Sequence, residues 1–196
     1  AVVARRRGIP ITLSLVYMDV AARAGVQVRG ISFPGHFLVR CESGREGETL
    51  ILDPYTGGVE LSETDCRRIL TNHLGEDAVF VPELLEPAAP RAIVERMLTN
   101  LKRLYVRQQA FADARRVTDM LLALDPASQD ERRDRGLLSF HLGDMNGALR
   151  DLETYLEHQR MAATLPNPRT SDPSNDDEGR IWEHVKTLRR RVASFN

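Results

Sequence analysis

Residues 33–39 read Phe33-Pro34-Gly35-His36-Phe37-Leu38-Val39, and residues 50–55 read Leu50-Ile51-Leu52-Asp53-Pro54-Tyr55. Pro34-Gly35 is a turn pair, and His36 to Cys41 then has the apolar character of a strand. Leu50 to Leu52 is a second short strand, closed by Asp53-Pro54 and the turn pair Gly57-Gly58. Residues 42–48, containing Gly44 and Gly47, form the loop between them. With the connection taken at residues 42–47, antiparallel pairing follows i + j = 89 (42 + 47), which sets His36 opposite Asp53. Opposed side chains lie about 5 Å apart at Cβ, so the carboxylate can accept the imidazole N–H. Such a contact fixes a tautomer and stabilises imidazolium, the part played by the third member of a catalytic triad. The same pair can instead close a hairpin end as a simple salt link, and pairing alone does not separate the two. A slip of one residue would put the two side chains on opposite faces.

Upstream, Gly8-Ile9-Pro10 opens a helical pattern in which Leu13, Val16, Tyr17, Val20, Ala21 and Ala24 recur at three- and four-residue steps. Pro10 suits a first helical position, where its missing amide has no intrahelical partner to lose. Gly25 supplies the stop, and Val26, Val28 and Ile31 around Gly30 alternate as a strand. Downstream, Ser62 to His73 reads as a helix capped by Ser62 with Asp65 three residues on. Pro82, Pro87 and Pro90 then mark a boundary.

Beyond it the pattern is helical throughout, over about 92–108, 111–124, 130–142 and 145–160, with breaks at Asp125-Pro126 and Gly143-Asp144. Phe111-Ala112-Asp113-Ala114-Arg115 aligns with Met145-Asn146-Gly147-Ala148-Leu149 at a shift of 34 residues (148 − 114), and Leu122 with Leu156 at the same shift. That period is the mark of tetratricopeptide repeats. The stretch resembles that family at Leu98, Leu101, Tyr105, Ala114 and Pro126 in the first copy, and at Gly136 and Ala148 in the second. Lys102 occupies a small-residue slot and Ser139 an aromatic one, both departures. Two copies bury little alone, so a capping helix or the first domain is expected to assist. Residues 164–179 read as a flexible linker, and 180–195, with Ile181, Trp182, Val185, Leu188 and Val192 on one face, as the cap.

The order of helix, strand, Pro34-Gly35-His36-Phe37 and Asp53-Pro54 resembles the transglutaminase-like superfamily, a branch of the papain-like fold. Gly8-Ile9-Pro10-Ile11-Thr12-Leu13, with Gly57-Gly58 and the downstream repeats, is similar to its bacterial SirB-type branch; certain eukaryotic F-box adaptors carry a similar domain. The resemblance covers about residues 5–160. It implies an α+β domain over 1–88, a helix with an antiparallel sheet, and then an all-α tetratricopeptide-like module over 91–160. It further implies His36 and Asp53 as two members of a Cys-His-Asp triad. The family's cysteine opens the helix about fifteen residues, some four turns, before the terminal glycine. Counting back from Gly25 reaches Pro10, which has no nucleophile.

No neighbour inherits the role cleanly. Thr12 lies about 200° around the helix from Pro10, whereas Ser14 returns to within roughly 40° of it but a turn deeper. Cys41 belongs to the opposite strand face from His36, and Cys66 to a later helix. His36, His73, His141, His158 and His184 have no metal-ligand spacing, so neither a metal nor another cofactor is expected.

Composition narrows the classes further. The 196 residues carry a net charge of −1. Residues 1–90 hold 9 basic and 12 acidic side chains and the remainder 18 and 16, which argues against a nucleic-acid binder. Arg5-Arg6-Arg7 reads as a solvated face and Arg189-Arg190-Arg191 as a charged helix end. No apolar run approaches the 18–20 residues of a membrane span, and two cysteines fit a reducing cytosol. The start without methionine, close to a helix, suggests that an N-terminal portion is missing. The expectation is a cytoplasmic, non-catalytic regulatory protein that binds a protein or peptide. Phe33, His36, Asp53 and Tyr55 would line its cleft, and Tyr105 and Arg135 its repeat groove. A hydrolase or acyl transferase using His36 toward water or a hydroxyl such as Thr12, and a structural scaffold, are the alternatives.

Overall fold

The computed structural model describes residues 2–42, 49–163, 179–181 and 183–189. The chain divides into two compact units, residues 1–97 and 98–196. The first holds helices α1 (Val2–Arg5), α2 (Pro10–Arg23) and α3 (Glu63–Leu74) and strands β1 (Val28–Ile31), β2 (Leu38–Glu42), β3 (Thr49–Asp53) and β4 (Val59–Glu60). Helix α4 (Pro90–Arg107) contributes residues to both units.

Local chemistry explains the helix starts. Pro10 is the first residue of α2. Ile9 offers no side-chain acceptor there; the Thr12 hydroxyl instead accepts from the Ile9 amide and donates to its carbonyl. At α3 the Ser62 hydroxyl accepts from the Asp65 amide at 3.2 Å, and the Asp65 carboxylate accepts from the Ser62 amide at 3.1 Å. This is the expected capping box with Asp in place of Glu. The hydrogen bonds from the Ser62 side chain and backbone hold the Asp65 carboxyl below its ordinary pKa. Its contribution is therefore present above the ordinary carboxylate pKa and is lost as pH falls through the lowered one.

The four strands form one antiparallel meander, β1-β2-β3-β4. Ile31 and Leu38 pair across β1 and β2 and are fully buried with Phe33, Cys66 and Leu70, so one face looks toward α3. Gly30, on the other face, lies under the Phe37 ring and Met18 of α2, which leave no room for a Cβ. Ile11 of α2, Phe37 and Ile93 of α4 close a second cluster.

Register differs from expectation. Val39 pairs with Leu52 and Glu42 with Thr49, so i + j = 91 rather than 89 (39 + 52 and 42 + 49). Strand β2 starts at Leu38, not His36, and runs one residue further, into Glu42, whose own pairing displaces the connection by one position. A one-position displacement of the connection changes the sum by two, which preserves the face of every side chain. Residues 43–48, where most of the loop was expected, lie outside the described residues.

The second unit continues α4 with α5 (Phe111–Leu124), α6 (Gln129–His141) and α7 (Met145–Ala163). Ala114 and Ala148, the residues aligned at the 34-residue shift, are both fully buried. Gly136 lets α6 approach α7, because a Cβ there would stand 2.8 Å from Leu152. Lys102, in the slot where a small residue is usual, is buried and donates to Glu131 and Asp134 of α6 at 2.7 Å each. Residues 179–181 and 183–189 are helical, and Ile181, Val185 and Leu188 pack against Leu152, Tyr155 and Leu156. Trp182, Val192 and nearly all of the expected linker lie outside the described residues.

One polar group here is a net cost. Ser139, in the aromatic slot, is buried and its hydroxyl has no hydrogen-bond partner among the described residues. An unsatisfied buried hydroxyl costs about 1–3 kcal/mol. Ser139→Ala is therefore expected to raise the urea midpoint, by about 1 kcal/mol of stability, with an unchanged m-value.

Candidate functional site

Pro34-Gly35 folds residues 33–36 into a turn closed by the His36 amide donating to the Phe33 carbonyl at 3.1 Å. Gly35 has φ +69°, a left-handed conformation that glycine adopts freely. The turn delivers His36 just ahead of β2, two residues short of Leu38, which the register would set against Asp53. The side chains therefore meet on a diagonal rather than directly across, with His36 Nε2 2.8 Å from Asp53 Oδ2. Diagonal neighbours on one face stay within reach of long or ring-bearing side chains.

Asp53 is almost fully buried, and its carboxylate is fully engaged. Oδ1 accepts from the Tyr55 amide at 2.9 Å, and Oδ2 accepts from the Thr56 hydroxyl at 2.8 Å as well as from His36. Three donors on one carboxylate fix it as an acceptor, so His36 carries its proton on Nε2 and presents the Nδ1 lone pair. Among the described residues Nδ1 has no hydrogen-bond partner. The exposed Tyr55 ring stands edge-on to the imidazole at 5.7 Å between centroids.

The entrance of α2 lies close by. Ser14 is fully buried and its hydroxyl donates to the Phe37 carbonyl, next to His36, at 3.0 Å. Pro10 stands one turn earlier on the same helix face, since residues i and i+4 are neighbours. Neither hydroxyl of this helix start is free: Thr12 is held by Ile9 and Ser14 by Phe37. The thiols are no better placed. Burial pushes the Cys41 thiol up, with Glu60 adding to it, and pushes Cys66 up, with Asp65 and Glu63 adding. Both cysteines are free, and Cys66 is sealed in the α3-facing core.

Phe33 does not line the cleft as expected. It is fully buried among Ile31, Leu38, Cys66 and Leu70, because the turn carries it inward rather than continuing the strand. Arg135 donates to Asp151 and Asp119, so its guanidinium is already occupied by carboxylates. Tyr105 is half-buried on α4. Among the described residues no group of three or more His, Cys, Asp or Glu gathers around a point that could hold a metal ion.

Three contributors escaped the sequence reading. Thr56 sits three residues from Asp53, a spacing that an Asx-type turn at Asp53-Pro54 could have suggested. His73 of α3 lies against Gly35 so closely that a Cβ would fall 2.3 Å from its ring. Arg96 of α4 reaches the turn from 60 residues away, and no local pattern announces it. Gly35→Ala is expected to cost about 1–2 kcal/mol from the backbone alone, plus displacement of His73. In the Gly35→Ala/His73→Ala pair only the second part should return, read as a double-mutant cycle in thermal unfolding.

A buried carboxylate holding an imidazole at the strand ends of an antiparallel sheet, beside a helix entrance, defines a transglutaminase-like domain, here followed by helical repeats. The description of the transglutaminase-like superfamily matches residues 1–99 and that of the tetratricopeptide repeat residues 101–170. The chain belongs to the transglutaminase-like superfamily. It is 39% identical over 156 residues to a UPF0162 protein of Xylella fastidiosa, a match covering 78% of this chain and 55% of that protein. Protein SirB1 of Salmonella typhimurium is 28% identical over 156 residues, covering 80% and 57%, consistent with a SirB-type branch. F-box only protein 21 of Homo sapiens is 31% identical over 151 residues, covering 72% of this chain and 23% of that protein. The chain thus spans little more than half the length of these two bacterial relatives. No solved structure is matched significantly.

Proposed function

We propose that this chain is a non-catalytic interaction protein of the reducing cytosol, with a regulatory part. Its transglutaminase-like domain keeps the His36–Asp53 pair without a nucleophile, and its repeats carry a protein or peptide partner. The observation that carries this reading is the entrance of α2. Proline stands at the position that the family spacing reserves for cysteine, and the two hydroxyls that follow are bonded to backbone. Tetratricopeptide repeats generally mediate protein–protein contact, and among the described residues no helix is long and apolar enough to cross a membrane. Tyr55 beside His36, and Tyr105 on α4, are the surface positions we assign to partner contact.

Purified protein incubated with activated esters, and with peptide amides plus an amine acceptor, is expected to turn over no faster than His36→Ala. A second reading has one observation in its favour. The unpartnered Nδ1 of an imidazole oriented by Asp53 is the arrangement of a general base. Turnover by the native chain that His36→Ala abolishes would establish that reading, a hydrolase activating water, and discard the first.

A further inference from the structure

We infer that Arg96 is the positioning residue of the His36 turn. Its guanidinium reaches across from α4 and donates through one nitrogen to the carbonyls of Phe33, at 3.2 Å, and His36, at 3.3 Å. Its second terminal nitrogen donates to the Ser32 hydroxyl at 3.3 Å. The two carbonyls are the first and last of the turn, and the Phe33 carbonyl also accepts the His36 amide that closes it. The planar guanidinium thus braces Ser32 through one terminal nitrogen and both turn carbonyls through the other, a fixed fork that an ammonium does not offer.

This placement matters because of what the turn lacks. Gly35 and its neighbours are held by one internal backbone hydrogen bond, and the strand ladder begins only at Leu38. His36 precedes it, so the ladder does not set its backbone. Its imidazole meets Asp53 on the longer diagonal, where a small rotation of the turn would open the 2.8 Å contact. Asp53 would stay satisfied by Tyr55 and Thr56, so nothing on the carboxylate side would pull His36 back. Ser14 holds the Phe37 carbonyl just after the turn, and Arg96 supplies the restraint on the turn's own two ends. The assignment stands whether the His36–Asp53 pair serves binding or catalysis.

The test is the tautomer of His36, read from the imidazole nitrogen shifts of the 15N-labelled full chain. In the native protein the neutral imidazole carries its proton on Nε2, against Asp53. Arg96→Ala is expected to average the two nitrogens toward a mixed tautomer. Arg67→Ala, which removes a cation–π contact with Phe80 and an ion pair with Glu63, leaves His36 unchanged. Arg96→Lys keeps the charge without the fork and should give partial averaging. Native-like nitrogen shifts in folded Arg96→Ala would overturn the assignment. The same result in Arg96→Lys overturns it even where Arg96→Ala is too unstable to record.

Discussion

Pro10→Cys is expected to create a thiol whose alkylation rate rises with pH around a midpoint well below that of an ordinary cysteine, about 8.5. The first turn of α2 has unpaired amides, because Ile9 provides no side-chain acceptor, and these donors favour an anion. Ser14, one turn on, bonds the carbonyl next to His36, so the new thiol enters the surroundings of the imidazole. A protonated imidazole stabilises a thiolate, and cysteines so placed have pKa values of about 3.5–7.5. The sign is definite: lowering the pKa enlarges the thiolate fraction at neutral pH. Iodoacetamide rates measured from pH 5 to 9 would show the midpoint at least about one unit below 8.5, and His36→Ala in the same background would return it upward. Cys41 and Cys66, both shifted up by burial, serve as internal references and should label slowly or not at all. A midpoint near the ordinary value, indifferent to His36, would mean that the entrance of α2 does not address the imidazole.

The second large effect concerns the repeats. Arg135 donates through Nε to Asp151 Oδ2 at 2.6 Å and through a terminal nitrogen to Oδ1 at 2.8 Å, a two-pronged pair between α6 and α7. Asp151 is nearly fully buried, and a further bond runs to Asp119 of α5 at 3.2 Å. The hydrogen bond that Arg135 donates to Asp151 is the main cause holding the Arg135 pKa above its usual value. Arg135→Ala leaves a buried carboxylate without its cation, which costs about 3–5 kcal/mol, a large part of a small unit's stability. Thermal or urea unfolding should show the repeat transition collapse. Replacing both partners with apolar residues, Arg135→Met with Asp151→Leu, is expected to recover most of the loss, because the penalty is the orphaned charge rather than the missing pair. Equal destabilisation in the single and double variants would contradict this account.

These effects also mark what could be read from the residues alone. Capping at Ser62, the stop at Gly25 and the buried alanines of the repeat rest on contacts within a few residues, and local spacing specifies those. The meeting of His36 and Asp53 was legible for a subtler reason. The sheet puts Asp53 at the end of β3 beside the turn, and the turn ahead of β2, not direct opposition in the ladder, brings the imidazole to it. Phe33, expected in the cleft beside His36, lies instead in the α3-facing core, because the turn at Pro34-Gly35 carries its ring inward. Arg96 could not be found, since the contact spans 60 residues and depends on how α4 packs against the sheet through Ile93. Lys102 departed from its consensus slot for a reason visible only in three dimensions: Glu131 and Asp134, on another helix, receive its ammonium.

The central claim is that an intact imidazole–carboxylate pair stands beside a helix entrance with nothing to activate. The most direct measurement is mass-spectrometric mapping of covalent adducts after the native chain meets thiol-directed and hydroxyl-directed activity probes, alongside His36→Ala. No adduct whose formation depends on His36 is the predicted result. A single modified side chain at Thr12, Ser14, Cys41 or Cys66 that disappears in His36→Ala would contradict it and identify a working nucleophile.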